Sequence, residues 1–387
     1  MNRNTITAEF FQRFGNRDTK PVLFFSPGRV NLIGEHTDYN SGYVLPCALE
    51  MGTYLVIRPN GSEVINMASL NFDTSLSFNA ESVIKAIPGS WTNYPAGVIN
   101  EFLQRDIKVP GMDMLFAGNI PNGAGLSSSA SIEMATALAL DHICGTGMST
   151  LNLVKLSQHA ENAFVGMNCG IMDQFTAGFG RRNSALFIDC GTLKHEIVPF
   201  ETGNYRLIIS NTNKRRGLTD SKYNERRAEC EKAVELMQHY KKIDSLSDLT
   251  IEDISHLQIH ISDEIIVRRA RHVITENDRV LKAVAALKKG NIIEFGMLMN
   301  QSHDSLKNDY EVTGHELDTL ACEARRFEGV AGSRMTGAGF GGCTVSLVDA
   351  ARVKDFIHHI SEAYTKKTGL TADFYTPSTG DGASMLE

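Results

Sequence analysis

The sequence predicts an α+β protein built as two lobes around a cleft, and three observations carry that expectation. The chain has 387 residues, more than one hydrophobic core usually supports, so its apolar side chains should collect in two closely packed units. Strand-like and helix-like segments are mixed without the strict alternation of a parallel sheet covered by helices. The end of the chain reads strand, helix, strand, over Cys343 to Val348, Ala351 to Lys367 and Ala372 to Tyr375.

Taken in order, Val22 to Phe25, Gly52 to Ile57 and Met112 to Phe116 are short apolar runs that read as strands. Ser128 to Ile143 and Leu151 to Val165 are longer, with the composition and spacing of helices. Leu186 to Cys190 has ended by Pro199, where a polar stretch begins, and this places the boundary between a first unit, 1–199, and a second, 200–387. The second unit opens on a strand, Arg206-Leu207-Ile208-Ile209, and continues into helices near Lys222 to Tyr240, Ile265 to Leu287 and Ile292 to Leu306.

Hydrophobic residues at 42% and charged residues at 21% are those of a folded globular protein, and a formal net charge of -7 argues against nucleic acid as the main partner. The seven cysteines are odd in number, scattered and without a Cys-x-x-Cys pair, which suits reduced thiols. No apolar run is long enough for a signal peptide or a membrane span, so a cytoplasmic protein with no membrane partner is expected.

Three segments carry chemistry. Pro121-Asn122-Gly123-Ala124-Gly125-Leu126-Ser127-Ser128-Ser129-Ala130-Ser131 runs straight into a strongly helical stretch. Unpaired N–H groups and the positive dipole end at such a helix start attract phosphate, and serine hydroxyls add donors or bind a nucleotide's metal; a plain turn with an N-cap has the same composition. No Gly-x-x-x-x-Gly-Lys-[Ser/Thr] occurs, so this is not the common P-loop. Gly337-Ala338-Gly339-Phe340-Gly341-Gly342 satisfies Gly-x-Gly-x-x-Gly but precedes a strand instead of opening a helix, so it reads as a tight loop beside a ligand or beside another segment. Near the start, Ser26-Pro27-Gly28-Arg29-Val30-Asn31-Leu32-Ile33-Gly34-Glu35-His36-Thr37-Asp38-Tyr39 concentrates donors and acceptors of the kind that sugar hydroxyls need, although charged turns also serve as solvated surface.

Together, in this order, the three segments resemble the signature motifs of the GHMP small-molecule kinases, and the Gly28 to Tyr39 block resembles the galactokinase branch in particular. Homoserine and mevalonate kinases share the serine loop and the last glycine motif but lack that block. The resemblance implies the two-lobed GHMP kinase fold, with an N-terminal mixed-sheet domain, a ferredoxin-like C-terminal domain and the active site in the cleft. It implies transfer of the γ-phosphoryl of Mg·ATP to the C1 hydroxyl of galactose, as the first step of galactose catabolism.

Carried over by position, Gly123, Ala124, Gly125, Leu126, Ser127, Ser128 and Ser129 would wrap the ATP phosphates, and Ser69 would contact the nucleotide. Ser129 and Glu161 would hold Mg²⁺; without the resemblance, Glu161 reads as a surface glutamate of a helix. Asp173 would be the catalytic base, where the residues alone favour a helix cap, with Arg29 beside it holding it ionised and stabilising the transferred phosphoryl. Glu35, His36, Thr37 and Asp38 would meet the sugar hydroxyls, with Gly170 and Tyr223 completing the pocket. A kinase of N-acetylgalactosamine would share these motifs. A non-catalytic sugar sensor of the same fold is impaired in the serine loop, whereas Ser128, Ser129 and Ala130 all stand here. A monomer is expected.

Overall fold

The computed structural model describes residues 3–80, 82, 84–121, 124–214 and 219–386, the side chains of residues 219–221 aside. Helix α1 (Arg3–Phe14) precedes strands β1 (Val22–Asn31), β2 (Tyr43–Val44), β3 (Pro46–Pro59), β4 (Val64–Ser69) and β5 (Leu76–Asn79). Helix α2 (Asn93–Leu103), strand β6 (Met112–Gly118) and helices α3 (Ser128–Cys144), α4 (Thr150–His159) and α5 (Met172–Phe179) follow, then the hairpin of β7 (Ser184–Asp189) and β8 (His195–Pro199). The second half runs β9 (Tyr205–Asn211), α6 (Thr219–Met237), α7 (Ile254–His260), α8 (Glu264–Lys288), α9 (Ile292–Ser305) and α10 (Gly314–Arg326). It continues through β10 (Val330–Thr336), β11 (Cys343–Asp349), α11 (Val353–Thr368), β12 (Asp373–Tyr375) and β13 (Ser384–Leu386).

The first lobe is a mixed sheet of order β13-β1-β3-β6-β4-β5, parallel at the β4/β6 pair. Alternation along β3 decides its two faces: Leu55 and Ile57 pack under α2 to α5 with Phe102, Met134, Leu153 and Phe175, while Val56 meets Ile6 and Phe10 of α1 on the other side. Strand β1 is longer than its apolar run suggests. Ser26-Pro27-Gly28 reads as a turn, yet the ladder with β3 continues to Asn31 through a register shift between Pro27 and Arg29, where a missing proline N–H costs nothing. The helix expected over Leu151 to Val165 is α4 followed by a π-helical turn, Ala160–Val165.

The second lobe is an antiparallel sheet, β10-β11-β9-β12. The strand, helix, strand tail places β11 and β12 on opposite sides of β9 with α11 crossing between them. Phe356, Ile360 and Tyr364 of α11 cover one face against Ile208 and Val348. On the other face, Leu207, Ile209, Val345 and Leu347 join Phe295 and Met299 of α9 and Val284 of α8 in a core that also takes in Val30, Leu32, Ile33 and Leu126. That shared core fixes the two lobes across the cleft. The last strand, β13, returns to the first sheet and pairs with β1 over Leu23 to Phe25.

Candidate active site

The bulge in β1 delivers Arg29 to the cleft. A Cβ on Gly28 would stand 2.7 Å from the Leu126 carbonyl, and Arg29 N–H donates to that same carbonyl at 3.1 Å, so β1 and the serine loop lie backbone to backbone. The Arg29 guanidinium is 5% exposed as a residue. Its Nε and Nη2 donate to the two oxygens of Asp173, each at 2.7 Å, and Nη1 donates to the Gly125 carbonyl at 2.8 Å. This is the planar two-point grip that only arginine makes on a carboxylate. Asp173 also accepts from the Ser127 hydroxyl. It lies in the first turn of α5 but caps nothing: the N-cap position is Ile171, without a side-chain bond.

Ser127 itself is left-handed, with φ 58° and ψ 51°, at the N-cap of α3, and its side chain makes no cap hydrogen bond. Its hydroxyl is spent on Asp173, so the first N–H groups of α3 lack the side-chain cap a plain turn would supply, and the dipole end stays beside the cleft. Gly125, Leu126, Ser127, Ser128 and Ser129 line this cleft, while Ala124 is buried in the core. Gly123 lies outside the described residues. A second hollow adjoins the first through Ser128 and Ser129 and is walled by Ser69, Asn71, Phe72, Trp91 and Tyr94. The Phe72 and Trp91 rings are near parallel there, 6.2 Å apart. Ser69 Oγ accepts from Asn71 N–H at 3.0 Å.

The polar block after Arg29 divides into residues that face the cleft and residues that hold its wall. Asp38 lines the cleft, and burial first, then the charge of Asp173, pushes its pKa up to about 6. Gly170 closes over it so tightly that a Cβ there would stand 1.9 Å from Asp38 Oδ2. Glu35 also lines the cleft, yet its carboxylate is 1% exposed and already engaged. Arg334 pairs with it at 2.6 Å, Asn31 Nδ2 donates at 2.7 Å, and Gly337 N–H and Thr336 Oγ1 donate at 2.8 and 3.1 Å. Burial raises its pKa against the pull of Arg334.

His36, with φ 64°, joins Nδ1 to the Tyr39 hydroxyl at 2.8 Å and Nε2 to the Ala338 carbonyl at 3.2 Å. Burial pushes its pKa down to about 3, so the ring is neutral. Both nitrogens are therefore engaged within the protein. Thr37 is fully buried, and its hydroxyl bonds the Gly34 and Tyr43 carbonyls, so it shapes the turn from behind. Tyr223 comes from α6 in the other lobe and packs its ring 5.3 Å from Tyr39 and 5.7 Å from His36, on the cleft wall.

Glu161 is not a surface residue. The π-helical turn aims it inward, where it is 6% exposed and lines the cleft with Ser129. Burial, then the Asp173 charge, raises its pKa, while hydrogen bonds from Ser129, Cys169 and Gln174 oppose the rise. Glu133 is 0% exposed nearby, its pKa raised well above the ordinary value, first by burial and then by Glu161, and its Oε1 accepts no hydrogen bond from a protein donor. A hydroxyl and a carboxylate in a crowded, negatively charged corner are hard oxygen donors of the kind magnesium takes, so the residues present fit that ion.

The three sequence segments meet here. Gly337 N–H donates to Glu35, and a Cβ on Gly337 would stand 3.1 Å from the Gly125 carbonyl, which Arg29 also grips. The glycine loop is thus both a close backbone approach and part of the cleft. Motif reading missed Arg334, Gln174, the bond of Ser127 to Asp173 and the ring slot of Phe72 and Trp91. None belongs to a local pattern, although Arg334, two residues before Thr336-Gly337, carried the signal of a charge inside a strand.

The galactokinase galactose-binding signature matches residues 8–59, the N-terminal domain of GHMP kinases residues 93–181, and their C-terminal domain residues 283–366. The chain is 51% identical over 368 residues to a galactokinase of Fusobacterium nucleatum, covering 94% of this chain and 95% of that one. It is 48% identical over 388 residues to a galactokinase of Clostridium beijerinckii, covering 100% and 99%. The crystal structure of Lactococcus lactis galactokinase complexed with galactose matches at 43% identity with a TM-score of 0.96 over 99% of each chain. A mevalonate kinase of Methanococcus jannaschii, 21% identical with a TM-score of 0.67 over 95% of this chain and 100% of that one, shares the fold.

Proposed function

Because this chain belongs to the galactokinases within the GHMP kinase family, we propose that Asp173 receives the proton of the galactose hydroxyl while Arg29 steadies the phosphoryl group in flight. The chain phosphorylates galactose with ATP. The observation that carries the residue assignment is the Asp173 carboxylate, gripped at 2.7 Å by Arg29 and by Ser127 at the mouth of the serine loop.

Galactose sits against Asp38, Glu35 and Tyr223, with its C1 hydroxyl at Asp173. His36 and Thr37 stiffen that wall, and Gly170 lets it close. The ATP phosphates lie along Gly125 to Ser129 at the start of α3, and the adenine end extends toward Ser69, Phe72 and Trp91. Arg29 orients Asp173 and adds positive charge at the reacting phosphate, so positioning and electrostatics supply most of the rate. Ser129 and Glu161 would hold Mg²⁺, which when bound would neutralise phosphate oxygens. The product is galactose 1-phosphate.

The division of the chain near Pro199 separates the sugar and phosphate motifs from the lobe that brings Tyr223 and Arg334, and β13 counts with the first lobe. Seven free cysteines and a net charge of -7 support a cytoplasmic chain that takes no nucleic acid. Among the described residues, no helix is long and apolar enough to cross a membrane. We read the protein as a monomer.

The test is Asp173→Asn in purified, folded protein, followed by ADP release with galactose and by calorimetry with the sugar alone. Turnover should fall by roughly two or more orders of magnitude, in line with general-base contributions, with sugar binding retained. Near-normal turnover removes the assignment.

A further inference from the structure

We propose that Gln174 is a positioning residue for the cation, its side-chain amide fixing the orientation of the Glu161 carboxylate; this rests on the reading of Glu161 as a magnesium ligand. Gln174 directly follows Asp173 on α5 and is 0% exposed. Its Nε2 donates to Glu161 Oε2 at 2.5 Å and to Glu133 Oε2 at 3.0 Å. One amide therefore ties α5 to α3, which carries Glu133, and to the π-helical turn that carries Glu161.

The chemistry needs a neutral donor at this point. Glu161, Glu133 and Asp173 are three carboxyl groups in one corner, and Arg29 spends its Nε and Nη2 on Asp173 and its Nη1 on Gly125. A buried carboxylate oxygen short of donors is expensive: without Gln174, Glu161 Oε2 would keep only the weak Cys169 thiol, 3.5 Å away, and the side chain would turn to find a better donor. With Oε2 tethered, the carboxylate keeps one rotation, and Oε1 is the oxygen that the amide leaves unengaged. Because the amide sits on the same helical turn as Asp173, the proton acceptor and the cation ligand are set on one rigid piece. A distance between them that wandered would cost rate even with every group present. The Gln174 Oε1 and Glu133 Oε1 atoms have no protein partner, so the amide is not there to complete a satisfied core network. It is spent on the carboxylates.

The experiment uses the full chain with ADP and Mn²⁺ as the probe. The Mn²⁺ dissociation constant is read by electron paramagnetic resonance, beside the galactose dissociation constant by calorimetry. Gln174→Met keeps volume and removes the donor, and should weaken Mn²⁺ by about 10–100-fold, the usual cost of losing a group that orients a metal ligand. Gln174→Asn keeps the amide but withdraws it by one methylene, and should weaken Mn²⁺ by roughly 3–10-fold on the same grounds. Galactose binding should stay near wild type in both, which a merely loosened fold would not achieve. Glu161→Gln is the companion. If it weakens Mn²⁺ while either folded Gln174 variant binds as wild type, the positioning role is overturned. If Glu161→Gln itself binds Mn²⁺ normally, the ligand assignment falls first and takes this inference with it.

Discussion

At neutral pH the Asp38 carboxylate is ionised in a place where burial, and after it the charge of Asp173, has moved its pKa from the ordinary 3.8 up to about 6. Arg29 opposes the rise, Glu35 adds to it, and Tyr39, Tyr223 and the Gly170 loop pack around the group. A displacement of this size corresponds to about 3 kcal/mol of stability forgone above pH 6, at about 1.36 kcal/mol per pH unit. Asp38 is only partly buried, so screening brings the expected figure to about 1–3 kcal/mol. The sign follows from proton binding. Below pH 4 both folded and unfolded chains hold the proton, and there is no penalty. Between 4 and 6 the folded chain keeps a proton that the unfolded chain has released, and the penalty grows; above 6 it is complete. Asp38→Asn never ionises, so it should be more stable than the parent at pH 8, less so at pH 5, while galactose binding weakens about 10–100-fold, the worth of a hydrogen bond to a charged group. Urea unfolding of the unliganded chain at pH 5, 6.5 and 8, with calorimetry for the sugar, reads both. A variant no more stable at pH 8, or one whose advantage is the same at every pH, would refute the reasoning.

Two further substitutions probe the walls of the cleft. Gly170→Ala puts a methyl where a Cβ would stand 1.9 Å from Asp38 Oδ2, so the galactose KM should rise by roughly tenfold or more with the ATP KM unchanged, since a displaced positioning group loses about that much; an unaltered galactose KM would show that the carboxylate need not stay put. Arg334→Met leaves Glu35 buried without its cation and should cost about 3–5 kcal/mol in urea unfolding at pH 7. Adding Glu35→Gln should recover part of the loss, and no recovery would mean that the pair is not its source.

The local architecture was legible where the pattern was local. The serine loop opening α3, the tail of β11, α11 and β12, and the three motifs could all be named from adjacent residues. What could not be read was how one side chain's bond changes another's role. Ser127 looks like an N-cap and Asp173 looks like an N-cap, and each is denied that job because the two bond each other across 46 residues. Glu35 and His36 read as sugar contacts, and nothing local shows that Arg334, Thr336 and Ala338, about 300 residues on, also bond their polar atoms. Glu161 needed a π-helical turn, which depends on an extra residue per turn and leaves no composition signal. Strand β1 was cut short because proline and glycine usually end a ladder, and here a bulge absorbs them.

The pairing of β13 with β1 has a consequence for how the protein is made. The edge of the first sheet is completed by residues synthesised after the whole of the second lobe, since Leu386 sits opposite Leu23. Until then that edge is an open row of N–H and C=O groups on β1, a strand translated long before its partner. The first lobe therefore cannot finish before the second has been synthesised, and the slowest contacts to close join two strands with the whole second lobe between them in sequence.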